Sequence, residues 1–336
     1  MVMEDSNFRV IIVGGSVAGL VFAHCLNRAG IEHLILEKGN EVAPDLGASI
    51  GIMPNGARIL EQLGLHEKIE QCIEPMSISH IIFPDGLALE SRYLQNIYER
   101  FGYSVAFLAR AEFLRIAYEL YPEKAKIITG KKVTEVNRCQ GGICAVTDDG
   151  SVYQGSIIVG ADGVHSRIRS EMWRIANKDS LGSILDEEKK SMTVEYACVF
   201  GISSGIKGLG DGEQINAFLD GAAVMMMQGK GDRVFWFIFK KLDQKYVYPD
   251  TPRFSMDDAE KLCREMKDVR LYRELCVDDL WRTKQTASMT ALEEGLFKTW
   301  FYDRMVLLGD SVHKVSQSSL PGHRSCLPKP TTTATR

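Results

Sequence analysis

Phe8-Arg9-Val10-Ile11-Ile12-Val13-Gly14-Gly15-Ser16-Val17-Ala18-Gly19 is the stretch whose reading decides the fold. Residues 8–13 form an apolar, β-branched run ending at a glycine pair, the pattern of a buried strand. Residues 16–29 then read as a helix, which Gly30 closes. Residues 32–36 are a second strand. Strand, helix and strand make a βαβ unit of about 30 residues, the length of a nucleotide-binding half.

The turn between strand and helix carries the chemistry. Set against GxGxxG, it offers Gly14 first, Ser16 in the middle place and Gly19 last. Gly14 permits the tight turn, a small residue at 16 lets backbone N–H groups approach a pyrophosphate, and Gly19 lets helix and strand pack closely. A helix N-terminus there presents unpaired donors and partial positive charge. Glu37 ends the second strand, where a carboxylate can accept hydrogen bonds from ribose hydroxyls. A plain structural turn and a solvated Glu beside Lys38 fit the same residues.

Two further strand ends deliver an aspartate next to glycine. One is Val159-Gly160-Ala161-Asp162-Gly163-Val164-His165-Ser166-Arg167, in which the Ser/Arg segment starts a helix. The other is Val306-Leu307-Leu308-Gly309-Asp310-Ser311-Val312-His313, placing a carboxylate where it can bond a ribityl hydroxyl. An ordinary Asp-Gly turn is the alternative for the first.

Elsewhere, residues 56–63, 111–120 and 257–267 read as helices. Residues 127–134 and 144–153 read as β structure with an Asp149-Gly150 hairpin turn, and residues 156–160 and 305–308 as buried strands. Residues 191–241 alternate and are aromatic, including Val234-Phe235-Trp236-Phe237-Ile238-Phe239. That run reads first as core and second as a substrate platform. Met225-Met226-Met227 reads equally as strand filler or as an adaptable pocket wall.

Composition narrows the class. A net charge of -4, with no long basic run, gives nucleic-acid binding no electrostatic support. The eight cysteines are scattered without a CxxC pair, which argues for reduced thiols in the cytoplasm and against zinc. No apolar run approaches the roughly 20 residues that span a bilayer.

The ordered set of glycine fingerprint with Glu37, Gly160-Ala161-Asp162-Gly163-x-x-Ser166, and Gly309-Asp310-x-x-His313 resembles the FAD-dependent monooxygenases of the hydroxybenzoate-hydroxylase type. Gly47-Ala48-Ser49-Ile50-Gly51-Ile52, Asn55-Gly56-Ala57-Arg58 and Val199-Phe200-Gly201-Ile202-Ser203 are similar to the fungal enzymes that epoxidise or hydroxylate prenylated intermediates of indole-diterpene and meroterpenoid biosynthesis. The resemblance covers residues 8–314.

It implies an α/β fold. A Rossmann-type FAD-binding part would span residues 1–190 and return over 256–314, around a sheet-rich substrate region at 191–255. It implies FAD contacts at Gly14, Ser16, Gly19, Glu37, Gly51, Arg110, Asp162 and Asp310, with Asp162 more architectural than catalytic. His165 and His313 would pack near the cofactor. NADPH would reduce the flavin, O2 would supply oxygen, and the substrate would be a large apolar small molecule. No catalytic residue is singled out.

After His313 the family continues in a glycine-rich loop ending Gly-Gln-Gly-Ala-Asn, whereas this chain runs Val315-Ser316-Gln317-Ser318-Ser319-Leu320-Pro321-Gly322-His323. Residues 315–336 read as a disordered, non-family tail, as a truncation or frameshift would leave. A full-length form carrying a hydrophobic anchor would associate with membranes. A truncated, non-catalytic FAD-fold protein and a flavin dehydrogenase or oxidase are the alternative readings.

Overall fold

The computed structural model describes residues 8–44 and 49–315. A six-stranded sheet runs in the order Phe301–Tyr302, Met305–Leu307, Ile157–Gly160, Arg9–Val13, Glu32–Leu36, Ile127–Ile128. Every neighbouring pair is parallel except the first. Arg9–Val13 lies between two partners, and its last four residues are buried. Such double burial explains the unbroken apolar run in the sequence.

The Val17–Arg28 helix carries the chain to Glu32–Leu36 on one side of that strand. The strand on its other side, Ile157–Gly160, arrives much later in the sequence. Chain order therefore reverses beside Val13, and ligands of such sheets bind beyond the carboxyl ends at this point. One face of the sheet is covered by Val17–Arg28 and Arg110–Glu119. The other packs against Arg167–Asp179 and a three-stranded meander, Val133–Cys139, Gly142–Thr147 and Val152–Gly155.

A second sheet has eight strands: His313–Lys314, Lys284–Leu296, Thr193–Ser204, Arg233–Val247, Ala222–Gln228, Glu213–Leu219, Ile78–Ile82 and Ala88–Ser91. Alternation sends Val234, Trp236 and Ile238 to one face, where the Met256–Glu265 and Val277–Arg282 helices pack. Phe235, Phe239, Met225 and Met227 go to the other, which packs on Phe107 and Leu94. The three methionines are thus divided, Met226 to the first face and its neighbours to the second.

The structure departs from the sequence reading in three places. The sheet-rich region is wider than residues 191–255, because Ile78–Ile82 pairs parallel with Glu213–Leu219 and Lys284–Leu296 pairs with Thr193–Ser204. The Met256–Glu265 helix packs on this sheet and not on the six-stranded one. Residues 127–134 are not one stretch: Gly130, at φ +66, turns the chain between the six-stranded sheet and the meander. Gly47, Ala48 and the tail from residue 316 lie outside the described residues. The cysteines among the described residues carry free thiols, and no described helix is long and apolar enough to cross a membrane.

Candidate functional site

The turn after Arg9–Val13 is held so tightly that side chains do not fit. Gly14 has φ +106, and a Cβ there would stand 2.4 Å from the Ala161 carbonyl oxygen. A Cβ at Gly19 would stand 1.8 Å from the Gly14 oxygen. Gly14 is therefore pressed against the chain that leaves the Ile157–Gly160 strand, and Gly19 against Gly14.

Five of the sequence-derived site residues meet at this turn: Gly14, Ser16, Gly19, Glu37 and Arg110. Glu37 Oε2 accepts from the Gly15 N–H at 2.6 Å, and Oε1 accepts from the Gly39 N–H at 2.7 Å. Ser16 occupies the N-cap position of the Val17–Arg28 helix without capping it. Instead its Oγ accepts from Arg110 Nη2 at 2.7 Å. Arg110 opens the Arg110–Glu119 helix and is half-buried. Burial pulls its pKa below the ordinary guanidinium value while the nearby Glu37 carboxylate pulls it back up, and Arg remains charged at neutral pH.

Gly51 and Asp310 complete the surround. Gly51, on Ser49–Ile52, pairs with Phe107, and a Cβ there would stand 3.1 Å from the Phe107 ring. That pairing lays the strand alongside the segment leading into Arg110. Gly309, at φ +64, brings its turn against Ala18, whose Cβ would be 3.0 Å from a Cβ at 309. Asp310 follows it, exposed, 3.0 Å from Lys314 Nζ.

Asp162 is engaged within its own loop. Its Oδ1 accepts from Ser166 Oγ at 2.5 Å, and Oδ2 accepts from the N–H groups of Arg167 and Ile168 at 2.6 and 3.1 Å. Ser166 Oγ in turn accepts from the Arg169 N–H at 2.9 Å. The first turn of Arg167–Asp179 is thus filled by the chain's own acceptors. Asp162 therefore caps this helix, the architectural part of the role expected of it.

The Val17–Arg28 helix is the opposite case. Its first turn has no side-chain cap and no acidic residue, and a guanidinium stands beside it. Free N–H donors, helix-end charge and Arg110 make an anion cradle, so the residues present fit the pyrophosphate of a dinucleotide.

Sequence reading missed Arg169. It is buried, donates to the Ser311 and Val164 carbonyls at 2.7 Å each, and lies 4.1 Å from the Phe297 ring centroid. It thereby clasps the Gly309–Ser311 turn to the loop after Ile157–Gly160. His165 and His313 are both exposed, and His165 pairs with buried Glu293 at 3.1 Å.

The second face of the eight-stranded sheet packs on Phe107 and Ala109, in the strand that leads into Arg110. Phe200 and Phe237 face each other across neighbouring strands and are half-buried, with Ala223 and Leu292 on the same face. This face offers hydrocarbon surface. A separate cavity of about 510 Å³, lined by Arg9, Glu32 and Lys126 among others, lies at the amino ends of the six-stranded sheet, away from the cradle.

Residues 7–319 match a family described as FAD binding domain. The chain is 50% identical over 323 residues to the FAD-dependent monooxygenase nvfK of Aspergillus novofumigatus, covering 96% of this chain and 69% of that one. It is 54% identical over 314 residues to the FAD-dependent monooxygenase penE of Penicillium thymicola, covering 94% of this chain and 66% of that one. The chain therefore spans about two thirds of these relatives. Among solved structures, Klebsiella pneumoniae HpxO complexed with FAD and uric acid superposes with TM-score 0.73 at 21% identity, over 93% of this chain and 75% of that one. The 2,6-dihydroxypyridine-3-hydroxylase of Arthrobacter nicotinovorans superposes with TM-score 0.67 at 14% identity, over 92% and 78%. At such identities the likeness concerns the fold alone.

Proposed function

Since the chain belongs to the FAD-dependent monooxygenases that carry this FAD binding domain, we propose that it uses NADPH and O2 to epoxidise or hydroxylate a large, apolar, prenylated small molecule of fungal-type secondary metabolism. FAD, when bound, supplies the redox chemistry, accepting hydride and activating dioxygen.

The chain's own residues bind, orient and shield. The bare first turn of Val17–Arg28 and Arg110 hold the pyrophosphate. Glu37, already anchored to the Gly15 and Gly39 N–H groups, keeps lone pairs for the ribose hydroxyls. Gly51 leaves room beside Phe107, and Asp310 accepts from a polyol hydroxyl. The six-stranded sheet and its helices form the cofactor part, and the eight-stranded sheet the substrate part. Phe200, Phe237, Ala223 and Leu292 take the hydrocarbon and keep water from the reacting centre.

The single observation that carries this reading is an uncapped helix start faced by a guanidinium and adjoined by an apolar sheet face. It is tested by incubating the purified protein with FAD, NADPH and farnesylhydroquinone under ¹⁸O2. The expected result is a yellow protein that consumes NADPH and places one labelled oxygen in the product. NADPH consumption without label would make it an oxidase, and a protein that takes up no flavin would end the assignment.

A further inference from the structure

The cofactor cradle and the apolar face stand on different sheets, so oxygen transfer needs something that fixes the gap between them. A partly buried ion pair crosses it. Arg233 Nη1 lies 3.2 Å from Glu112 Oε2, with side chains 29% and 18% exposed. Glu112 sits in the first turn of the helix that Arg110 opens, two residues further on. Arg233 opens the strand that carries Phe235, Phe237 and Phe239. Each partner is thus joined to its own functional side chains by a few residues of regular backbone, which transmits displacement with little loss.

Neighbouring contacts reinforce the same junction. The Arg233 Nε donates to the Lys230 carbonyl at 3.1 Å, and Lys230 Nζ donates to the Gln71 carbonyl at 2.6 Å. Arg115 Nη2 lies 3.6 Å from the other Glu112 oxygen, keeping that carboxylate in place. Neither Glu112 nor Arg233 is among the residues that build the cradle or the Phe200–Phe237 wall.

We propose that the Glu112–Arg233 pair is a positioning device that sets the apolar substrate face in register with the cofactor cradle. This role rests on the monooxygenase reading above. An error of about 1 Å between reacting partners can cost about a hundredfold in rate, so loosening the pair diverts reducing equivalents away from product while cofactor binding is retained.

The test compares wild type with Arg233→Met, Glu112→Gln, the double variant and the conservative Arg233→Lys. The first readout is the thermal midpoint of flavin-free protein. Each single loss lowers it by about 2 °C, and the double variant falls no further than the worse single one. The second readout is labelled product per NADPH, with farnesylhydroquinone as probe, alongside hydrogen peroxide release. Arg233→Met and Glu112→Gln bind FAD within about twofold of wild type but lose about fivefold in product per NADPH, and Arg233→Lys recovers most of it. Additive midpoint losses, or unchanged product per NADPH in Arg233→Met, overturn the proposal alone. A wild type that yields no labelled product removes the monooxygenase reading, and this role with it.

Discussion

Arg110 is held between two demands. It is half-buried, which opposes its charge, and it stands beside the Glu37 carboxylate, which supports it. Among the described residues its side chain hydrogen-bonds Ser16, the residue that would otherwise cap the Val17–Arg28 helix. The guanidinium therefore keeps that helix start open and adds charge to it. A hydrogen bond to a charged group is worth about 1.5–3 kcal/mol, so Arg110→Met should weaken FAD binding about ten- to a hundredfold. Equilibrium titration followed by flavin fluorescence measures this, and binding unchanged within twofold would show that Arg110 does not face the cofactor. Gly14, Ser16, Gly19 and Glu37 were legible in the sequence because their meaning lies in local spacing. Arg110 was legible through family resemblance, since nothing nearby in the chain points it at Ser16. Arg169 was not legible, because its partner Ser311 lies 142 residues away.

Elements that look alike in sequence behave differently once their ends are examined. Two glycine-bearing turns lead into helices at Val17 and Arg167, and one is bare while the other is filled by Asp162 and Ser166. Loss of a cap costs about 1–2 kcal/mol. Asp162→Ala should therefore lower the thermal midpoint by several degrees and leave the FAD dissociation constant within about twofold. A large loss of affinity at unchanged stability would place Asp162 among the cofactor's direct ligands.

The far end of Arg167–Asp179 is tied by charge. The Arg138 guanidinium bonds Asp179 and also Asp303 at 2.7 Å, and the Tyr302 hydroxyl donates to Asp179 at 2.9 Å. These bonds hold the Asp179 carboxyl down at about 2, against an ordinary value near ~3.9. A depressed folded-state pKa contributes stability above the unfolded value and loses it as pH falls through the folded one. The stability difference between wild type and Asp179→Asn should thus be full at pH 5 and shrink between about pH 4 and pH 2. Urea unfolding across that range measures it, and a difference independent of pH would contradict the assignment. The group is solvent-facing, so added salt should reduce the effect.

At the scale of the molecule, local pattern predicted the central strands of the six-stranded sheet and several helices but not which sheet each strand joins. Glu213–Leu219 adds to Ile78–Ile82 across more than a hundred residues, and no periodicity encodes such a partner. Lys284–Leu296 escaped notice as a strand because its sequence, Lys284-Gln285-Thr286-Ala287-Ser288-Met289-Thr290, has small and polar residues where a buried face is expected. It earns its place from Thr193–Ser204, along which it pairs for nearly its whole length. Four strands of the six-stranded sheet were readable because each ends in a turn with its own chemical signature, whereas Phe301–Tyr302 was not read as a strand. In the assembled molecule those turns meet at residues 14–18, with the apolar sheet face next to them.

The most direct test of that convergence is a titration of FAD into flavin-free wild type, Arg110→Met and Asp162→Ala. Saturation at one FAD per chain, with affinity lost in Arg110→Met and kept in Asp162→Ala, is the outcome this arrangement requires. Equal affinities in all three, or no saturable binding to wild type, would contradict it.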